Sequence, residues 1–348
     1  MGCQYFEPTS DGAQSFTVAI PKLTFGRGTL HEAGARASGL GMKKVAMFTD
    51  PHLESGPLVA IVMESLRRES IAVVVYSDIR IEPDDDTVRQ AGKFLKEAAV
   101  DGVISVGGGS VIDTAKAALL VAGHGGDIRE YFAPPVGEAR AVPGPVLPHI
   151  ACSTTSGTGS ECTSISVIRV NELNTKFVVA NPHLLPDVAI VDPHCCDSLP
   201  SNVVASTGFD LLSHALECYT ARAYTGHAEI ADPNARQFIQ GANPFSDLSA
   251  KEALDIVGKY LQRGVADSTD HEARDSLMWG ATLAGIAFGN SGTHLPHAMS
   301  YGRYPPDERY HQPGLQGGVA VCSARYQCHC VRTRHLSVHS AGYAAATS

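Results

Sequence analysis

The feature that most constrains what this chain can fold into is an alternation that begins at Lys43 and holds to Ala122. Lys44-Val-Ala-Met-Phe-Thr49, Ile71-Ala-Val-Val-Val-Tyr76 and Gly102-Val-Ile-Ser-Val106 are short runs rich in β-branched and apolar residues. Between and after them, residues 58–69, 86–98 and 110–122 space their apolar side chains at the helical period. A strand that is apolar on both faces must be covered on both faces. Crossover helices do that, so the pattern predicts a parallel, doubly wound α/β sheet.

After about Pro200 the character changes. Residues 203–221, 247–266 and 272–288 read as long helices, and residues 223–244, rich in Ala, Asn, Gly and Pro, as an inserted loop. The expected division is an α/β nucleotide-binding domain over residues 1–196, a helical metal-binding domain over 197–301, and an atypical tail over 302–348. With 348 residues, 44% of them apolar, the chain can bury two such cores. A net charge of −9 argues against nucleic acid or an anionic membrane surface as the main partner. No apolar run approaches the roughly 18–20 residues that span a bilayer. Residues 1–21 show neither a signal-peptide core nor an Arg-rich presequence, and the cysteines form no regular framework. A cytoplasmic location is therefore expected, with Cys162 and Cys218 as small core residues.

Two loops carry phosphate-binding chemistry. Gly107-Gly108-Gly109-Ser110, with Asp113 three residues on, sits between a buried strand and a helix. Glycines there let the backbone approach a diphosphate, and the helix N-terminus offers unpaired N–H groups. The plain alternative is a strand-to-helix turn closed by a Ser-x-x-Asp capping box. Ser153-Thr154-Thr155-Ser156-Gly157-Thr158-Gly159-Ser160-Glu161 follows a second apolar strand and is dense in hydroxyls. Two such loops after parallel strands converge on the carboxyl edge of a sheet, where ligands bind. Asp50 ends the first strong strand and suits either a ribose hydroxyl, which favours NAD over NADP, or a simple cap.

The metal-ligating candidates lie in the helical half. Asp210 and His214, four residues apart, project from one helix face, and His294 and His297 follow the last long helix. One carboxylate with two or three imidazoles suits Fe(II) or Zn(II) with a position left open for substrate. A surface ion pair or a packed histidine is the plain reading of such a pair taken alone.

Taken together, Gly107-Gly-Gly-Ser110-x-x-Asp113, Thr154-Thr155-x-Gly157-Thr158, Asp210-x-x-x-His214-x-x-Glu217 and His297-x-Met299 resemble the iron-containing (group III) alcohol dehydrogenases over residues 17–301. The residues 240–247, Gly289-Asn290-x-Gly292-x-His294 and Met299-Ser-Tyr301 resemble the hydroxyacid-oxoacid transhydrogenase branch of that family. The resemblance implies a Rossmann-like parallel-sheet domain followed by an all-α domain, the fold shared with dehydroquinate synthase, with its C-terminal part incomplete here. It implies NAD in the cleft between the halves. Gly108, Gly109, Ser110 and Asp113 would bind its diphosphate. Thr154, Thr155 and Thr158 would line the ribose and nicotinamide side, and Asp50 the adenosine ribose. Lys176 coincides with a position near the cofactor, an exposed lysine being its plain reading. Asp210, His214 and His297 would hold the metal, with His294 close by but not a ligand. Tyr301 is a candidate proton relay, its plain reading a structural tyrosine.

The chain departs from the family pattern after Tyr301. The family's fourth ligand is a histidine in a Pro-His-Gly segment, which is absent; His311 stands at a plausible reach in a different context. Residues 319–348 mix Cys, Arg, His, Ser and Ala without helical period, which reads as an altered, frameshift-like C-terminus. The expected activity is hydride transfer on alcohol or hydroxyacid substrates. The transhydrogenase form converts 4-hydroxybutyrate and 2-oxoglutarate to succinate semialdehyde and 2-hydroxyglutarate. The competing readings are a plain NAD-dependent dehydrogenase, a cyclase on the dehydroquinate-synthase fold, and a catalytically dead nucleotide-binding protein. A homodimer is a family expectation.

Overall fold

Six short strands build one parallel sheet in the computed structural model, which describes residues 5, 12–233, 236 and 239–301. They are β1 (Lys22–Phe25), β2 (Lys44–Phe48), β3 (Ala72–Tyr76), β4 (Gly102–Gly107), β5 (His149–Ser153) and β8 (Val188–Val191). Their order is β1-β8-β5-β4-β2-β3. The chain winds from β2 out to β3, then returns past β2 to β4, so the winding reverses between β2 and β4. Crevices at such a reversal are where open α/β sheets bind ligands. Every residue of β4 and β5 is buried, as expected for central strands.

The period of two sorts the strand side chains to opposite faces. Val45 and Met47 pack with Val62 and Leu66 of α2 (Pro57–Arg68). Ala46 and Phe48 pack with Ala91 and Leu95 of α3 (Asp85–Ala98) and with Ala115 and Leu119 of α4 (Gly109–His124). A short α1 (Ala33–Gly39) completes the first face. Each large apolar side chain so buried contributes roughly 1.5–3 kcal/mol. The helices end where the turn chemistry dictates: Asp84 caps α3 by accepting from the Thr87 amide.

One element has no counterpart in the expected pattern. Residues β6 (Ile165–Val170) and β7 (Thr175–Ala180) form an antiparallel hairpin outside the main sheet. Its inner residues Ile168, Val170 and Val179 cover Ala117 and Leu120 of α4 together with Ile128, Tyr131 and Phe132.

The helical half consists of α5 (Ser201–Thr220), α6 (Pro244–Ala266), α7 (His271–Ser291) and the short α8 (Leu295–Tyr301). The three expected helices are present and each begins earlier than its apolar pattern, because the caps precede it. Asn243 caps α6 in a reciprocal box with Ser246, with Pro244 at the first position, and Asp270 caps α7. From Ala273 to Ser291, α7 is buried on nearly every side. It sits between α5, α6 and the α/β half, and therefore lacks a polar face. Among the described residues no helix is long and apolar enough to cross a membrane.

The first described stretch crosses to the helical half. Gln240 binds the Thr17 backbone through both amide atoms, at 2.9 and 2.8 Å. Asn290 does the same to Ala19, at 2.8 and 3.0 Å. These bonds tie the first described stretch to Gln240, in the expected inserted loop of residues 223–244, and to Asn290 near the C-terminal end of α7.

Candidate metal and nucleotide site

The side chains of Asp210 and His214 stand one turn apart on α5, and Glu217 follows one turn later, with none of its surface exposed. His297 reaches them because the chain turns sharply after α7. Gly292 there has φ +98°, and a Cβ on it would lie 2.7 Å from Ile239. That conformation and that closeness require glycine. One ligand atom each from Asp210, His214 and His297 lies within 4.8 Å of the others. The Nε2 atoms of His214 and His297 are 3.0 Å apart, and Asp210 Oδ1 is 4.0 Å from His214 Nε2. Metal–ligand bonds of about 2.0–2.2 Å separate neighbouring ligand atoms by about 3–4 Å, so this donor set fits a divalent ion.

Glu217 supports the set from behind. Its Oε1 accepts from the His297 backbone N–H at 2.9 Å, and its Oε2 bonds His297 Nδ1. A proton held on Nδ1 leaves the Nε2 lone pair facing the other two donors. Burial pushes the Glu217 carboxyl up, but its bonds and attraction to His297 outweigh this and hold it below the usual range. His214 stacks on Phe288 with centroids 4.2 Å apart. Burial, reinforced by His297 and opposed by Asp210, pushes the His214 imidazole down to about 4, so it is neutral and able to ligate near pH 7.

A cleft of about 370 Å3 joins this cluster to the nucleotide loops. Gly109, Ser110 and Thr158 line it on the α/β side, and His214, Phe288 and His297 on the helical side. The N-terminus of α4 opens on it. Gly108 is the N-cap and supplies no side-chain bond, which leaves the first amides available to an anion. The glycines also admit the second loop: a Cβ on Gly109 would meet Thr158 at 2.7 Å, and one on Gly108 would meet Thr155 at 3.1 Å. Thr154 is buried, and its amide bonds the Gly107 carbonyl at 3.0 Å, tying the two loops together.

Several expected residues serve other ends. The capping box is not formed, because Gly108 is the N-cap and Ser110 lies inside α4, where its Oγ accepts from the Glu82 amide at 3.1 Å. Asp113 lines the cleft, and its two oxygens accept from Ser160 Oγ at 2.5 Å and from the Val167 amide at 3.0 Å, so it also anchors the second loop. Asp50 Oδ1 accepts from the His52 and Leu53 amides at 2.8 and 3.1 Å, a local turn that occupies one oxygen. Lys176 is not an exposed lysine: it is 9% exposed, lines the cleft, and pairs with Glu82 at 2.9 Å. His294 bonds Thr220 Oγ1 at 2.9 Å, away from the ligand cluster. Cys162 and Cys218 are buried among apolar residues. His311 and the side chain of Tyr301 lie outside the described residues.

Sequence reasoning missed two contributors and gave a third, Glu217, no role. Lys116 is wholly buried and donates to the carbonyls of Ser160, Thr163 and Ile165 at 2.6–2.9 Å, fixing the second loop on α4. Burial pushes its ammonium down to about 8. Glu82 holds Lys176 from a left-handed backbone position, φ +61°. Glu217 had a signal in its helical spacing from His214, but nothing in the sequence shows that His297 returns to it.

Comparison with known proteins agrees with this architecture. Residues 21–193 match the model of iron-containing alcohol dehydrogenase, and residues 204–313 that of the C-terminal region of the Fe-containing alcohol dehydrogenase family. The second match runs past Tyr301 and includes His311. The chain is 41% identical to the mitochondrial hydroxyacid-oxoacid transhydrogenase of Mus musculus over 82% of its own length and 62% of the relative's. It is 39% identical to the Homo sapiens protein over the same shares. The chain thus spans about 62% of the length of these curated relatives. Among solved structures, a 1,3-propanediol oxidoreductase is 30% identical with TM-score 0.73, over 82% of this chain and 69% of that one. A sulfoacetaldehyde reductase from Bifidobacterium kashiwanohense, solved with NAD+, is 29% identical with TM-score 0.71, over 82% of this chain and 70% of that one.

Proposed function

The chain belongs to the iron-containing alcohol dehydrogenase family, and from that premise we propose that it is a metal- and NAD-dependent oxidoreductase of hydroxyacid substrates. The observation that carries the reading is the convergence of Asp210, His214 and His297 in a cleft also lined by the first turn of α4. Those three residues would hold Fe(II) or Zn(II), which supplies a Lewis acid for the substrate oxygen, while NAD at Gly108, Gly109 and Ser110 supplies the hydride acceptor.

The chain's own residues prepare that chemistry. Glu217 fixes the His297 ring through two bonds, and Phe288 fixes the His214 plane. Thr158 lies against Gly109, where the α/β side of the cleft faces the helical side.

By likeness to the hydroxyacid-oxoacid transhydrogenases, the proposed substrates are a hydroxyacid and an oxoacid, 4-hydroxybutyrate and 2-oxoglutarate being the pair to test. The proposed reaction oxidises the first to succinate semialdehyde and reduces the second to 2-hydroxyglutarate; NAD, which Gly108, Gly109 and Ser110 would hold, would supply the hydride carrier, and the proton lost in one half-reaction is regained in the other. Purified protein loaded with Fe(II) or Zn(II) and given both substrates should form both products without added NAD. Turnover of one alcohol only, and only with free NAD, identifies a plain dehydrogenase. The three donors are all the ligand cluster holds among the described residues, so stoichiometric metal is the second test. NAD binding with neither metal nor turnover identifies a catalytically dead protein. A homodimer and a cytoplasmic or mitochondrial compartment complete the proposal, checked by light scattering and by fractionation.

A further inference from the structure

Behind the cleft lies a second chamber of about 340 Å3, built where the first described stretch crosses the inserted loop. Ser15, Tyr224, His227, Glu229, Arg236 and Ile239 are in its wall. Ile239, which is 36% exposed, also lines the metal cleft, so the two spaces share it as a wall. It sits on Gly292, five residues before His297, and the next residue, Gln240, is fixed to Thr17 by two bonds and to the Asn290 carbonyl by its amide.

The charges around the two spaces differ in one respect. Lys176 in the cleft is paired with Glu82, and Arg169 with Asp84 at 3.8 Å. Glu229 in the chamber already receives the Gln14 amide at 2.7 Å. Arg236 donates to Thr17 Oγ1 at 3.1 Å and makes no ion pair among the described residues. A guanidinium has five donors in a fixed fork that suits a carboxylate, and one uncharged hydroxyl uses a single donor.

We infer that this chamber receives the carboxylate end of a short-chain substrate, with Arg236 as its counter-ion and Ile239 as the wall the chain passes. The inference rests on the hydroxyacid reading of the cleft: a substrate oxygen at the Asp210, His214 and His297 cluster leaves the far end of an extended chain to be recognised elsewhere. It makes Arg236 and Ile239 specificity-determining residues, in a part of the chain that makes no contact with the ligand cluster itself.

The test uses binding to the metal- and NAD-loaded protein. Succinate serves as the charged probe and 1,4-butanediol as a neutral probe of equal chain length, each titrated by calorimetry. In Arg236→Gln the ratio of succinate to butanediol affinity should fall at least tenfold, and Arg236→Lys should restore part of it. Ile239→Phe should weaken both probes, by filling the passage. An unchanged ratio in Arg236→Gln, equal loss of both probes, or no succinate binding to the unaltered protein overturns the inference. Failure of the transhydrogenase assay with a ratio that still depends on Arg236 removes the substrate assignment and leaves the carboxylate site standing.

Discussion

At the scale of single residues, the site depends on side chains whose value lies in what they hold. Glu217 touches no expected ligand atom position, yet both its oxygens are spent on His297. Glu217→Gln keeps the shape and removes the charge, and metal affinity should fall about 10- to 100-fold, as it does when such supporting groups are changed elsewhere. Competition against a chelator measures this, and an affinity within twofold of the unaltered protein would show that Glu217 is only packing. His149 makes a second case, away from the metal. It is buried, bonds Ser105 at 2.8 Å, and is pushed down to about 3 by burial and then by Lys116. Its folded value is below its unfolded one, so between pH 6.5 and 3 the unfolded chain takes a proton that the folded chain refuses. Stability is therefore complete above pH 6.5 and falls as pH drops, by at most about 1.4 kcal/mol per unit from this group. Denaturation of metal-free protein followed from pH 7 to 4 should give a shallower slope in His149→Asn.

At the scale of elements, α7 shows how small residues set the distance between the halves. Gly159, with φ +59°, and Gly285 are pressed together: a Cβ on Gly159 would lie 2.4 Å from the Gly285 Cα. Neither backbone can give way without moving a loop or a helix. Gly159→Ala should cost about 2–4 kcal/mol, combining backbone strain with overpacking, and should lower Tm by several degrees. Gly123 in α4 is the control, since nothing lies within 4 Å of its added Cβ. Gly123→Ala should raise stability by about 0.5–1 kcal/mol, because alanine loses less backbone freedom in a helix. Thermal unfolding of the two variants in parallel checks both signs. The helices were readable because apolar period and caps agree; the β6–β7 hairpin was not. Its alternation is short, and the turn at Asn174 (φ +46°) is not one of the strong two-residue signals.

At the scale of the whole molecule, the cleft lies where loops of the α/β half meet α5, α7 and α8, so its ligands bridge both halves. Anything that binds there stabilises the folded protein by mass action, about 2.7 kcal/mol at a hundred times its Kd. Adding Zn(II) and NAD together should raise Tm, and EDTA should reverse the metal's share. A Tm unmoved by either ligand would mean that the cleft is not their site. The first described stretch also bears on this scale, because residues 13–19 bond the inserted loop and Asn290. A division made by position along the chain does not carry that crossing.

The sequence alone determined what local rules can carry. The strand–helix alternation, the glycines before α4, and the Asp210–His214 spacing are short-range patterns, legible because the sheet and helix periods are fixed by backbone geometry. Tertiary structure decided the partnerships that join distant residues: His297 on Glu217, Lys176 on Glu82, Asp113 on Ser160, and Ile239 between two cavities. Those depend on how elements pack in space, and a buried charge or hydrogen-bonding group takes whatever partner the packing brings to it, since leaving it unpaired costs more than any local preference.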